Sequence, residues 1–205
     1  MKQIINLVLE ELKAKYSPHT IILYGSYARN EESNTSDVDV ACFCDINAEV
    51  KDARVFQGVY LDAWIYPTES LNTIPEASLR FGDGIVLYDE RGLGKKYLEE
   101  VQQKLLAGRE LMSANDLLHL QEWVSKMLSR AVVNDLDGNY RRTWLQFELL
   151  SLYFEVRGLW FLGHKKSLSY LKSYDSEVYE LFCEMYANPT DTTYLERLAK
   201  LVVRI

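Results

Sequence analysis

Strand signals in this sequence stop at Gly108. That asymmetry restricts the chain to an α+β architecture whose two kinds of element are segregated along the sequence. Before Gly108, short runs rich in β-branched and aromatic residues recur: TIILYG at 20–25, SDVDVACF at 36–43, ARVFQGVYLDAWIY at 53–66 and a fourth, short one within FGDGIVLYDE at 81–90. Each reads as one strand, with Gly58 a bulge or a point of close approach in the third. A helix over about 2–15 precedes them, with Ile4, Ile5, Leu7, Val8, Leu9 and Leu12 on its broad apolar face. A helix ending at Gly108 follows them, and SYARNEES at 26–33 is polar enough to be a short helix. After Gly108 the apolar period is helical throughout. Ser113 with Asp116 forms an N-cap pairing, DLDGN at 135–139 reads as a turn, and 140–163 reads as one long helix apolar on most sides. Three shorter helices complete the chain. The expectation is an N-terminal domain at 1–108, a mixed β-sheet with flanking helices, followed by a C-terminal α-helical bundle at 109–205.

Composition narrows the function. Nearly half of the 205 residues are apolar, enough for a real core, and the net charge is −7. The acid is uneven, with 17 Asp and Glu against 11 Lys and Arg in residues 1–106, and 13 against 12 afterwards. An acidic chain argues against duplex nucleic acid as a partner. Cys42, Cys44 and Cys183 give an odd count without zinc or redox spacing, and the first two read as small strand residues. The N-terminal stretch has acids inside its apolar run, so it reads as an amphipathic helix and not a signal peptide. No run reaches the roughly 18 apolar residues of a membrane span. A cytoplasmic protein without a membrane partner is the expectation.

The chemistry lies in LYGSYARNEESNTSDVDVACF, 23–43. Side chains alternate along a strand, so Asp37 and Asp39 face one way, with Cα atoms about 6.6 Å apart. Two carboxylates that close repel each other unless a cation neutralises them. Magnesium suits such a site, because it takes carboxylates together with substrate phosphates and water. Gly25 permits close approach of a phosphate to the backbone, and Ser26 adds a hydroxyl donor at the start of the following helix. Asp62, alone in the apolar VYLDAWIY, is costly if buried unpaired. If its strand pairs antiparallel with that of Asp37, it faces the same cleft as a third metal ligand.

This pattern resembles the nucleotidyltransferase superfamily that includes DNA polymerase β, poly(A) polymerases and aminoglycoside nucleotidyltransferases. The resemblance rests on Tyr24-Gly25-Ser26, a ten-residue spacer, and Asp37-Val38-Asp39-Val40, with Asp62 downstream. Asn30 stands where many small bacterial members have glycine. The resemblance implies two Mg2+ ions held by Asp37, Asp39 and Asp62, and a nucleoside triphosphate, ATP above all, with its phosphates at Gly25 and Ser26. It implies transfer of a nucleoside monophosphate to a hydroxyl and release of pyrophosphate. A small hydroxylated acceptor, such as an aminoglycoside or a lincosamide, is the first expectation. Antitoxin-like nucleotidylation of a protein partner, or a non-catalytic nucleotide-binding regulatory module, are the alternatives. A homodimer stays open.

In the bundle, Trp144, Glu148, Ser151 and Glu155 share one helical stripe. Glu148 is a candidate base on the acceptor side, set against a plain solvated face. Lys165 and Lys166 read as surface lysines near a helix end, and the three histidines are too scattered for a metal set.

Overall fold

A computed structural model of the protein describes residues 2–204. The chain divides into two compact units, 1–107 and 108–205.

The first unit opens with α1 (Lys2–Tyr16) and β1 (Thr20–Tyr24), whose five residues are all buried. A short helix, α2 (Gly25–Arg29), leads through a loop to β2 (Val38–Cys44). β3 (Val50–Phe56) and β4 (Val59–Pro67) follow, then two 3₁₀ turns at Thr68–Asn72 and Glu76–Phe81, β5 (Ile85–Asp89) and α3 (Leu93–Ala107). The strands form one mixed sheet in the order β3-β4-β2-β1-β5.

Two expectations change here. The stretch at 53–66 is a hairpin, not one strand. Gln57 and Gly58 both take positive φ, 51° and 84°, as the tight type I′ turn requires. Residues 50–52, which precede the expected strand, are the start of β3. β4 also pairs with β2 in parallel and not antiparallel. The chain leaves β2, runs past the position of β4 to build β3 at the edge, and turns back between them. β4 therefore runs in the direction of β2. The hydrophobic pattern explains why β4 is internal. It buries Leu61, Ala63 and Ile65, while β3 carries Lys51 and Arg54 and suits a sheet edge.

One face of the sheet packs Ile21, Leu23, Val38, Val40, Cys42, Cys44, Leu61, Ala63 and Ile65 against Val8 and Leu12 of α1. The strand reading of Cys42 and Cys44 agrees with this, since both are buried and unbridged. The opposite face carries Tyr24, Asp39, Phe43, Asp62, Trp64 and Tyr66, by the alternation and the register of the pairs. Phe81 and Tyr97 cover part of that face through edge contacts to Tyr24 and Phe43, at 4.9 and 5.6 Å between ring centres.

The second unit holds α4 (Ala114–Ala131), α5 (Leu136–Val156), α6 (His164–Tyr174), α7 (Ser176–Ala187) and α8 (Thr192–Val203). Leu145, Leu149, Phe182, Leu195 and Val202 are among its fully buried core residues. Ser113, Asp135, Asp175 and Asp191 cap α4, α5, α7 and α8 by accepting first-turn backbone N–H groups. The 135–139 segment is therefore the start of α5 and not a separate turn. The helix also ends sooner than expected, because Gly158 adopts φ 65° just beyond Val156. Among the described residues no helix is long and apolar enough to cross a membrane.

Candidate active site

β1 delivers the chain to Gly25 at φ 74°. A Cβ built there would stand 2.3 Å from Oδ2 of Asp39, so the bare Cα is what lets the turn lie against that carboxylate. Asp39 is opposite Tyr24 on β1 and opposite Asp62 on β4. Directly paired residues project from the same face, so the two carboxylates sit side by side at the strand spacing of about 4.8 Å. Parallel pairing thus brings Asp62 to the cleft as well as the antiparallel one would have done.

The electrostatics of the pair call for a cation. Burial pushes the Asp39 carboxyl up to about 6, and the charges of Asp62 and Asp37 add to the rise, while Arg80 and Arg29 oppose it. Oδ1 of Asp62 is buried and has no hydrogen bond. Lys51 Nζ lies 3.2 Å from that oxygen, close enough to attract it but out of line for hydrogen bonding. Its ammonium is half exposed, so the pair neutralises little. Asp37 precedes β2 and is exposed. As the side chains stand, no three His, Cys, Asp or Glu among the described residues converge to hold a metal ion unaided. An all-oxygen donor set and a carboxyl pushed up to about 6 beside a second carboxylate nevertheless fit a divalent cation. The ion that suits them is one completing its shell with phosphate and water.

The nucleotidyltransferase domain model matches residues 5–110, just over half of the chain. The chain belongs to the nucleotidyltransferase domain family. Two proteins of Methanocaldococcus jannaschii, each named "Putative protein adenylyltransferase", are 48% and 42% identical to it over 40 residues. Those stretches are 20% of this chain, and 41% and 46% of the two relatives, so each match spans less than half of the relative's length. A solved nucleotidyltransferase-like protein from Exiguobacterium sibiricum 255-15 is 14% identical, with a TM-score of 0.45, over 100% of this chain and 73% of that one.

Within this nucleotidyltransferase domain the remaining candidates separate. Ser26 is half-buried in α2, and its carbonyl accepts the N–H groups of Asn30 and Glu31. Asn30 closes α2 in the left-handed region at φ 57°, a conformation in which asparagine is the best substitute for the family's glycine. Arg29 is committed to Glu31 and Asp83, both at 2.7 Å. Three residues not assigned from the sequence join the site. Lys51 contacts Asp62 and lies 4.6 Å from the ring centre of Trp64. Trp64 continues the face of Asp62, two residues along β4. Arg80 reaches the site from the second 3₁₀ turn, its guanidinium 5.5 Å from the Tyr24 ring centre and bonded to the Tyr66 hydroxyl. The Trp64 position was legible from alternation. Arg80 carried no signal, because only the return of the chain brings it there.

Glu148 belongs to the helical unit. It is half-buried and accepts the indole N–H of Trp144 at 3.2 Å. Glu155, on the same stripe, pairs with Arg109 at 2.6 Å. Trp144 meets Trp123 and Tyr140 edge to face.

Proposed function

We propose that the protein is a Mg2+-dependent nucleotidyltransferase. It moves a nucleoside monophosphate from a nucleoside triphosphate, ATP first, to an acceptor hydroxyl. The observation that carries this is the registered pair Asp39 and Asp62 with the Gly25 backbone against it. In this reading Asp37, Asp39 and Asp62 hold the metal, and Gly25 and Ser26 cradle the β and γ phosphates. Bound Mg2+ neutralises phosphate charge and makes the acceptor hydroxyl more acidic. Asp62 orients that hydroxyl beside the α-phosphorus. Asp62 takes the proton of that hydroxyl as the acceptor oxygen bonds to the α-phosphorus, the bond from the α-phosphorus to the α–β bridging oxygen breaks, and pyrophosphate leaves with that electron pair. Tyr24 and the strand pairing keep Asp39 fixed through the reaction, so the domain contributes positioning and charge. Glu148, the acceptor-side base assigned from the sequence, belongs to the helical unit.

The acceptor proposed first is a small hydroxylated molecule of aminoglycoside or lincosamide type, suited to an acidic site. A protein hydroxyl is the second reading, favoured by the names of the two M. jannaschii relatives. One experiment tests all of this. Pyrophosphate release is followed with each nucleoside triphosphate, with Mg2+ or EDTA, against a panel of small acceptors and against protein labelled by α-32P nucleotide. Metal-dependent release that Asp39→Ala and Asp62→Ala abolish supports the proposal. Nucleotide binding without release for any acceptor would favour the regulatory module.

A further inference from the structure

Below the carboxylates the same sheet face opens into an aromatic cleft. β4 continues from Asp62 to Trp64 and Tyr66, and β2 continues from Asp39 to Phe43. Trp64 and Tyr66 are stacked at 6.1 Å and 11°, and Tyr66 and Phe43 at 5.6 Å and 29°. Phe81 and Arg80 line the other side of a cavity of about 380 Å³. Phe43 is fully buried and forms the base of the cleft, whereas Trp64 and Tyr66 are half-buried, with Lys51 Nζ 4.6 Å from the Trp64 ring centre. The exposed Arg80 guanidinium lies 5.8 Å from the Trp64 ring centre.

We infer that this cleft receives the nucleobase of the triphosphate, an inference that rests on the nucleotidyltransferase reading above. Three observations favour the base over the acceptor. First, the directions around the carboxylates are otherwise allocated. The Gly25 turn lies on the β1 side and is the place for phosphates. The sheet edge at β3, with the half-exposed Lys51, is open to an incoming hydroxyl. The strand direction leads from Asp62 to the cavity lined by Trp64, Tyr66, Arg80 and Phe81. Second, the reach is right. Trp64 is two residues from Asp62, about 6.6 Å along the strand, the span of one ribose between α-phosphate and base. Third, the chemistry is right. Flat aromatic faces stack any nucleobase, and a cavity of this size suits one ring system. Glu49 and Ser78 at the wall add an acceptor and a hydroxyl for base edges. Arg80 now holds a cation over the rings, and its exposure lets it yield that place and turn its donors to the ligand.

The test compares calorimetric binding of ATP and of inorganic tripolyphosphate to the full chain in Mg2+. The wild type is expected to bind ATP at least about tenfold tighter, the usual worth of one stacked base. Trp64→Leu is expected to erase that difference while leaving tripolyphosphate affinity within about twofold, and Trp64→Phe to restore most of it. A 2-aminopurine riboside triphosphate should be quenched by the wild type and not by Trp64→Leu. Equal affinity for ATP and tripolyphosphate in the wild type would overturn the inference and leave the triphosphate cradle standing. So would an ATP preference that Trp64→Leu keeps. Absence of Mg2+-dependent binding of either ligand would bring down the parent reading and this inference with it.

Discussion

Asp39→Asn should make the metal-free protein more stable at neutral pH, although it removes a residue from the centre of the site. Burial and the neighbouring acids raise the Asp39 carboxyl from 3.8 to about 6. At 1.36 kcal/mol for each tenfold change in protonation, the cost of ionising it in the folded chain is about 3 kcal/mol. The group is partly exposed, so solvent screening reduces this to about 1.5 kcal/mol. The sign follows from proton binding. Between about pH 4 and 6 the folded state holds a proton that the unfolded state has lost, so stability falls as pH rises through that window. The penalty is absent below it and complete above it. Thermal melts in EDTA should therefore show the variant about 3–6 °C above the wild type at pH 7.5, and only about a third of that gap at pH 4.5. Mg2+ at fiftyfold the metal Kd should reverse the order, since the wild type gains about 2.3 kcal/mol there and the variant loses that gain. A variant less stable than the wild type in EDTA at pH 7.5, or a gap unchanged at pH 4.5, would refute the account of charge strain.

Gly25→Ala should cost about 1–2 kcal/mol in a urea melt, because alanine resists φ 74°. Its Cβ would also displace Asp39 and lower pyrophosphate release by more than about 100-fold. Gln57→Asn should raise stability by about 0.5–1 kcal/mol, since asparagine tolerates positive φ before Gly58 better than glutamine does. Arg142→Met should destabilise the helical unit by about 1–3 kcal/mol in chemical denaturation, because the buried guanidinium donates to Ala131 O at 3.1 Å and to Asn139.

Much of this molecule was legible because its signals are local. The alternation at 36–43 located β2, although Asp37 itself precedes the strand and is exposed. The helical period and the Ser113 cap located α4, and the helical period between polar breaks located α7 and α8. The 53–66 segment was misread because β3 is an edge strand. Lys51 and Arg54 hide its period, and Gln57-Gly58 is a weaker turn signal than Asn-Gly. DLDGN was misread for a similar reason. Asp-Gly suggests a turn, but Asp135 accepts the Gly138 N–H at 2.7 Å and starts α5. A Cβ at Gly138 would meet Val133 O at 1.9 Å, so the glycine serves close packing.

The sequence by itself determined which residues could act. Gly25, Ser26, Asp37, Asp39 and Asp62 are identified by type and spacing, because period and turn chemistry act over a few residues. Tertiary structure decided which of them meet. Only the hairpin, turning back between β3 and β2, sets Asp62 against Asp39 and carries Trp64 and Tyr66 beneath them. Only the second 3₁₀ turn brings Arg80 within reach. Contacts between distant residues depend on strand order and register, and those are fixed by how the whole sheet buries its apolar face, which no local stretch encodes.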